Sequence, residues 1–509
     1  MKSEFLKHIN LSNVLNISIF VTLFSYFYLW SYTLLDFNIF IIIIIPISLY
    51  IIKKEKLQIK KKNLFYFSFF CFLLIFFFLK QYNFNIGNIP QIKFFKFFGF
   101  FSIIIFCILF KNEIIKQIKF LIISFTIIYL LITFYDFLVN LNTFEFNFEG
   151  KFSMCSFREG LFRQNIIFSE NSHFGMVAVA THAYLLYLCS IETKILKKFL
   201  YIFACLVFLF NSSTTYFAGF VFSSIALIAC SLKSINKENV IYLLTFLFIS
   251  IFFLFSDSTC KSRFSDIPIV TDSFSKIHSS VYNDKKNTLL NSDDKKNTSF
   301  SNEVNLEYAN LLKSYWRAQV LLSQLIHDLN SKNNENKKST IINQIRNQEK
   351  KMKKLERNLE DINPEKFKVI KKNMSVNLTT QVFIRSFFIS LESIQNEIFG
   401  WGQSNYDLAY DKYKFRVPYI NPETIYYNIV DGSNNFFKII VEFGVFGIFL
   451  FLFLLKISFD NKVDYNIKVF LLPIIITQLI RGAGYFNGGF LIAVALIVVL
   501  HFSRTSVVK

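Results

Sequence analysis

The stretch FLIISFTIIYLLITFYDFLV, Phe120 to Val139, is twenty residues long and almost wholly apolar. A helix of that length measures ~30 Å, the thickness of the hydrocarbon core of a bilayer. Two further runs read the same way, FNIFIIIIIPISLYII (Phe37–Ile52) and LFYFSFFCFLLIFFFL (Leu64–Leu79). The whole chain is 53% hydrophobic with a mean hydropathy of +0.41, above the range of soluble domains. The excess of Ile, Phe, Lys and Asn points to an AT-rich coding sequence, so part of this bias is mutational. The runs themselves predict an all-α polytopic membrane protein, because lipid leaves no partner for an open backbone.

About twelve spans are expected, near 12–33, 35–52, 64–79, 94–110, 120–140, 172–191, 198–211, 214–231, 240–256, 434–456, 467–481 and 484–503. The first is read as a retained span, since no small-residue cleavage site follows it. If the spans simply alternate, the lysine-rich links KKEKLQIKKK (Lys53–Lys62), KNEIIKQIK (Lys111–Lys119), ETKILKK (Glu192–Lys198), LKSINKEN (Leu232–Asn239) and KISFDNKVDYNIK (Lys456–Lys468) share one side. Lysine enrichment makes that side cytoplasmic, and both termini then lie there too. The formal charge of +20 is thus mainly topology, and no nucleic-acid partner is expected.

The expected organisation is an N-terminal membrane bundle over 1–256, a large external segment over 257–433, and a C-terminal membrane bundle over 434–509. Within the external segment, Ser279–Phe300 is polar, repeats DKKNT, and reads as a linker. A helical hairpin is expected near 303–362. Leu312, Trp316, Leu322, Leu325 and Leu329 mark its first helix. Ile341, Ile345, Met352, Leu355, Leu359 and Ile362 mark the second, with Gln348 filling one missing apolar position. An interfacial helix is expected near 379–398. Its apolar stripe is Phe383, Phe387, Leu391, Ile394 and Ile398, Arg385 lies on another face, and Gly400-Trp401-Gly402 ends it.

On this topology nine of the ten arginines are external, all but Arg504. A guanidinium fork grips phosphate through paired hydrogen bonds better than an ammonium does, so these arginines are candidates for an anionic substrate. Cys155 and Cys260 would both face the exterior, where a disulfide is chemically allowed; nothing in the sequence brings them together. There is no Walker loop, dinucleotide fingerprint or zinc spacing, so neither metal nor cofactor is expected.

Four stretches carry a resemblance. REGLFRQNIIFSENSHFGM (Arg158–Met176) resembles the Arg-x-x-Gly-x-Phe…Glu-Pro-Ser segment of O-antigen and exopolysaccharide polymerases of the Wzy type, with Asn171 in place of the proline. SSTTYFAGFVFSSI (Ser212–Ile225) resembles the Ser/Thr-rich start of a later family span, with Tyr216 where an arginine is common. RSFFISLESIQNEIFGWGQSNY (Arg385–Tyr406) is similar to the family's outer helix and its Gly-x-Gly turn. DGSNNFFKIIVEFGVFGIFLFL (Asp431–Leu452) is similar to the Asn-containing entry to the span after the large loop, with Glu-x-Gly-x-x-Gly inside it.

The resemblance implies an inner-membrane enzyme that transfers glycan between undecaprenyl-diphosphate-linked oligosaccharide repeat units at the outer face. No metal or nucleotide is required. Its partners would be that lipid-linked donor and acceptor, the bilayer, and a possible chain-length regulator. The related alternatives are an O-antigen ligase moving glycan onto lipid A-core and a lipid-linked oligosaccharide flippase. Ligases tend to carry a histidine where this chain has DGSNN, which favours the polymerase. In this frame Glu170 is the expected general base and His173 the second catalytic candidate. Arg158, Arg163, Arg385, Asn434 and Arg481 are the expected substrate-binding residues. Each has a plainer alternative: Glu170 could cap a helix, the arginines could anchor at headgroups, and Asn434 or Glu442 could simply bond between helices.

Overall fold

The computed structural model describes residues 11–28, 91–140, 171–210, 214–231, 237–256, 338–364, 378–414, 428–430, 434–482 and 488–504, with isolated positions at 75, within 307–325, and at 367, 432, 484 and 485. Among these every regular element is a helix. The spans expected at 35–52 and 64–79, and the pair Cys155 and Cys260, lie outside the described residues.

In chain order the elements are α1 (Leu11–Tyr28), α2 (Gln91–Asn140), α3 (Asn171–Ile191), α4 (Ile195–Phe210), α5 (Thr214–Ser231), α6 (Lys237–Ser256), α7 (Lys338–Ile362), α8 (Leu378–Asn396), α9 (Tyr406–Tyr413), α10 (Asn435–Phe443), α11 (Val445–Phe459), α12 (Tyr465–Ile480) and α13 (Phe490–Arg504). Two stretches are long and apolar enough to cross a membrane, Lys96–Tyr135 in α2 and His173–Ile191 in α3. Shorter apolar helices cover Asn16–Tyr28, Thr215–Cys230, Val445–Phe459, Tyr465–Ile480 and Phe490–Ser503.

The chain divides into two compact units. The first joins residues 1–261, 390–411 and 430–509; the second joins 262–389 and 412–429. In the first unit the N-terminal and C-terminal helices share one core: α12 packs against α5 and α3, and α13 against α2. Small residues allow the close approach, since a Cβ on Gly219 of α5 would fall 2.5 Å from the Thr477 hydroxyl of α12. The faces turned out of the bundle are apolar. Ile195, Leu196, Phe199 and Phe203 on α4 are all exposed, as lipid-facing side chains would be.

Two sequence expectations change here. Lys111–Lys119 is expected as a link between two spans; it is helical, and α2 is two helices that meet at a kink at Phe110 (φ −110°, ψ 18°), immediately before that stretch. No glycine or proline interrupts it, and its Lys, Glu, Ile and Gln residues are compatible with a helix. The span expected at 434–456 is likewise not one helix. It breaks at Gly444 into α10 and α11. Pro473, by contrast, sits inside a continuous α12.

The polar contacts of this unit fall into two sets. One set links the lysine-rich connections to each other: Lys198 with Glu238 at 3.4 Å, Asn239 with Tyr465 at 2.8 Å, His501 with Asp460 at 3.4 Å, and Lys111 with Ser503 at 2.7 Å. Lys468 is buried there, donating to the Ser458 and Asp460 carbonyls at the end of α11, where a helix leaves its last carbonyls without partners. The other set gathers Lys93, residues 398–407, residues 430–445 and the link 481–489.

In the second unit α7 packs against described positions of 307–325. Tyr315, Leu359 and Phe367 form a core there, with Leu311, Met352, Leu355 and Ile362 against them. Among the described residues of 307–325, Leu311, Tyr315 and Ala318 pack and Leu322 and Leu325 are half-buried, while the expected Leu312, Trp316 and Leu329 lie outside the described residues. The second helix packs as its pattern predicts. Gln348 is tolerated at an apolar position because its Nε2 donates to the Ala318 carbonyl at 2.9 Å.

Candidate functional site

The second set of polar contacts is built around the break in the 434–459 segment. A helix leaves its last carbonyls and its first amides without intrahelical partners, and here two helix ends meet inside the protein. The turn after α8 supplies what they lack. The Trp401 amide donates to the Val441 carbonyl at 2.9 Å and the Gly402 amide to the Glu442 carbonyl at 2.8 Å. In return the Val445 amide, at the start of α11, donates to the Ile398 carbonyl at 2.9 Å. Gly400 (φ 76°) and Gly444 (φ 56°) permit this backbone-on-backbone contact. A Cβ on Gly444 would fall 2.1 Å from the Ile398 oxygen. Trp401 is buried in the clasp.

Polar side chains line the clasp. Asn434 caps α10, its Oδ1 accepting from the Phe437 amide at 2.8 Å. Asn435 donates to the Gly484 carbonyl at 3.3 Å and packs on Gly482, where a Cβ would sit 2.9 Å from its Cγ. The Tyr485 hydroxyl donates to Glu442 Oε2 at 2.8 Å. Lys438, one turn before Glu442, donates to the Val430 carbonyl at 3.0 Å and lies 5.0 Å from the centre of the Tyr485 ring. Gln478 Nε2 donates to the Gly488 carbonyl at 2.7 Å. At the edge, Lys93 of α2 reaches Asn405 Oδ1 at 3.0 Å and Asp407 at 2.8 Å, tying the first turn of α2 to the entry of α9.

Among the described residues several atoms in this region are buried with no hydrogen-bond partner: both amide atoms of Gln403, Asn434 Nδ2, Asn435 Oδ1 and Gln478 Oε1, beside the Glu442 carboxylate. Buried polar atoms are nearly always paired with protein, water or ligand. A carboxylate and several carboxamides, offering donors and acceptors together, suit a ligand that carries hydroxyl groups.

The residues expected from sequence distribute as follows. Asn434 is at the centre of the clasp and Arg481 closes α12 beside it, half-buried, its amide donating to the Thr477 carbonyl at 2.8 Å. Arg385 is 1% exposed. It lies on the buried side of α8 with Ser386 and Ile389, while Phe387 and Leu391 of the apolar stripe are the exposed side. His173 is half-buried in the first turn of α3 and has an interaction partner. Glu170, Arg158 and Arg163 lie outside the described residues. His182, deeper in α3, is hydrogen-bonded through Nδ1 to Tyr216, the residue standing where the family arginine is common.

Sequence reasoning named Asn434 and Glu442 but not Tyr485, which bonds Glu442, nor Lys438, Gln403 and Lys93 around them. Gly400, just past the end of α8, was the one visible signal, since a glycine turn permits φ > 0 and a close backbone neighbour; Gly444 lies within an apolar run. No family model, no curated protein and no solved structure matches the chain.

Proposed function

We propose that the protein is a polytopic inner-membrane polysaccharide polymerase. It joins undecaprenyl-diphosphate-linked oligosaccharide units at the outer face. The observation that carries this reading is the clasp. Two of the stretches that resemble the polymerase family, Arg385–Tyr406 and Asp431–Leu452, are bonded to each other through their glycine turns, and the Arg481–Gly489 link packs on the same place. The two sets of polar contacts support the orientation, because each joins only links assigned to one side of the membrane.

In the proposed reaction an acceptor sugar hydroxyl attacks the anomeric carbon of the donor. The bond from that carbon to the lipid diphosphate breaks, and the diphosphate leaves with the electron pair. Glu170 takes the hydroxyl proton, with His173 as the second candidate. Arg158, Arg163, Arg385 and Arg481 stabilise the charge that develops on the diphosphate. Asn434 and the unpartnered amides of the clasp hold sugar hydroxyls, and membrane tethering of both chains supplies proximity.

Glycan profiling of a deletion strain tests this. Loss of a polymerase leaves single repeat units on the surface. Long glycan accumulating on the carrier lipid would identify a ligase instead, and single units trapped inside a flippase. Glu170→Ala and Arg158→Ala should each abolish long chains while the protein stays in the membrane.

A further inference from the structure

Helix α7 has a face that the hairpin does not use. Arg346, Lys350, Lys353 and Arg357 follow one another by four, three and four residues, which places them within ~60° of the helix circumference and along ~16 Å of its axis. All four are exposed. They lie opposite Ile341, Gln348, Met352, Leu355 and Leu359, the side packed on the first hairpin helix. None of the four makes an ion pair or a hydrogen bond among the described residues, although Glu349, Glu356 and Glu360 are on the same helix.

We infer that this stripe binds a linear polyanion, an acidic polysaccharide. The geometry separates that partner from the other anionic surfaces. A flat anionic bilayer would meet the exposed Glu349, Glu360 and Asp361 together with the stripe, and these offset what it gains from the further exposed cations Lys351 and Lys354. An acidic protein helix would find little apolar surface beside the cations, and exposed ion pairs alone bind weakly. A flexible chain with a charge at each sugar or disaccharide touches the stripe alone and gains by multivalency. Two of the four groups are guanidinium forks, suited to paired hydrogen bonds with carboxylates. Taken with the polymerase reading, on which this link to the product rests, the growing glycan would carry acid sugars and the hairpin would hold it as it lengthens.

The test uses the full-length protein in nanodiscs of neutral lipid, with polygalacturonate oligomers as probe and dextran of equal length as the uncharged control. Polygalacturonate should bind, dextran should not, and affinity should fall with rising salt. The R346Q/K350Q/K353Q/R357Q variant should lose about tenfold or more, on the scale of several screened charge contacts. The R346K/R357K variant, which keeps the charge, should retain most of the binding and shows that the hairpin still folds. Equal affinity for dextran would overturn the proposal, as would unchanged affinity in the quadruple variant. So would stripe-dependent binding to phosphatidylglycerol vesicles or to DNA that exceeds binding to the polyuronate. Binding is read without turnover, so a protein that fails to polymerise in the deletion strain can still pass this test, and the two readings fail separately.

Discussion

Gly400 lies so close to the Glu442 carbonyl that a methyl group on it would sit 2.4 Å from that oxygen. The obstacle is backbone, not a side chain that can turn away, and Gly400 is also held at φ 76°. Gly400→Ala and Gly444→Ala should therefore each pull the turn off the break between α10 and α11. The strain of a non-glycine residue at such dihedrals costs about 1–3 kcal/mol before the clash is counted. Both variants should lower the melting temperature of the purified protein and expose residues 398–402 to proteolysis. Gly447→Ala meets the Ile439 carbonyl at 2.8 Å and should be milder, since its backbone is helical.

Removing the Tyr485 hydroxyl leaves Glu442 with no side-chain donor in a fully buried site. Tyr485→Phe keeps the ring over Lys438, so it isolates the hydrogen bond from the packing. The expected cost is about 1–3 kcal/mol, the range for stranding a buried acceptor. Glu442→Gln in the Tyr485→Phe background should recover part of it, because a neutral amide is cheaper to bury. Thermal denaturation of the four proteins in the cycle reads the coupling. A coupling energy of zero would mean that the bond adds nothing to the clasp.

The hairpin should come apart at alkaline pH. Burial and the neighbouring Glu356 hold the Tyr315 hydroxyl well above its ordinary value of 10.0. A proton held more tightly in the folded state contributes stability that is complete below the unfolded value. That contribution is lost as pH rises through the folded one. The hairpin should thus be stable at pH 8 and weaken progressively above about pH 10. Spin labels at the exposed Arg317 and Arg346 would report the separation of its two helices across that range. Tyr315→Phe should flatten the dependence and leave the distance unchanged at neutral pH.

The sequence shows most of the described helices because a single variable, the length of apolar runs, marks them. It shows α7 equally well, since Ile341, Met352, Leu355 and Leu359 mark one face by period alone. What it hides is pairing at a distance. The break at Gly444 is invisible in an apolar run, because the hydropathy of VEFGVFGIF does not change where the helix stops. Its cause lies some forty residues earlier, in the amides of Trp401 and Gly402. In the first hairpin helix the period marks Leu312 and Trp316, which lie outside the described residues, and it passes over Tyr315 and Ala318, which the structure buries. Arg385 was legible as off the apolar stripe, but not as buried, since an exposed stripe on α8 is natural only if lipid or a partner covers it.

The separation of the polar contacts makes a prediction about sidedness that does not depend on the chemistry. Lys198 with Glu238, Asn239 with Tyr465, His501 with Asp460 and Lys111 with Ser503 join the links assigned to the cytoplasm. Lys93 with Asp407 and Asn435 with Gly484 join segments assigned to the outside. None of these contacts joins one group to the other. Single cysteines at Ser172 and Lys237 should therefore differ, in a background where all seven native cysteines are replaced. A thiol reagent that cannot cross the membrane should label Ser172→Cys in intact cells. It should reach Lys237→Cys only after permeabilisation. Labelling in the opposite sense would put Glu170 on the cytoplasmic side, away from a donor at the outer face, and the proposed transfer could not occur there.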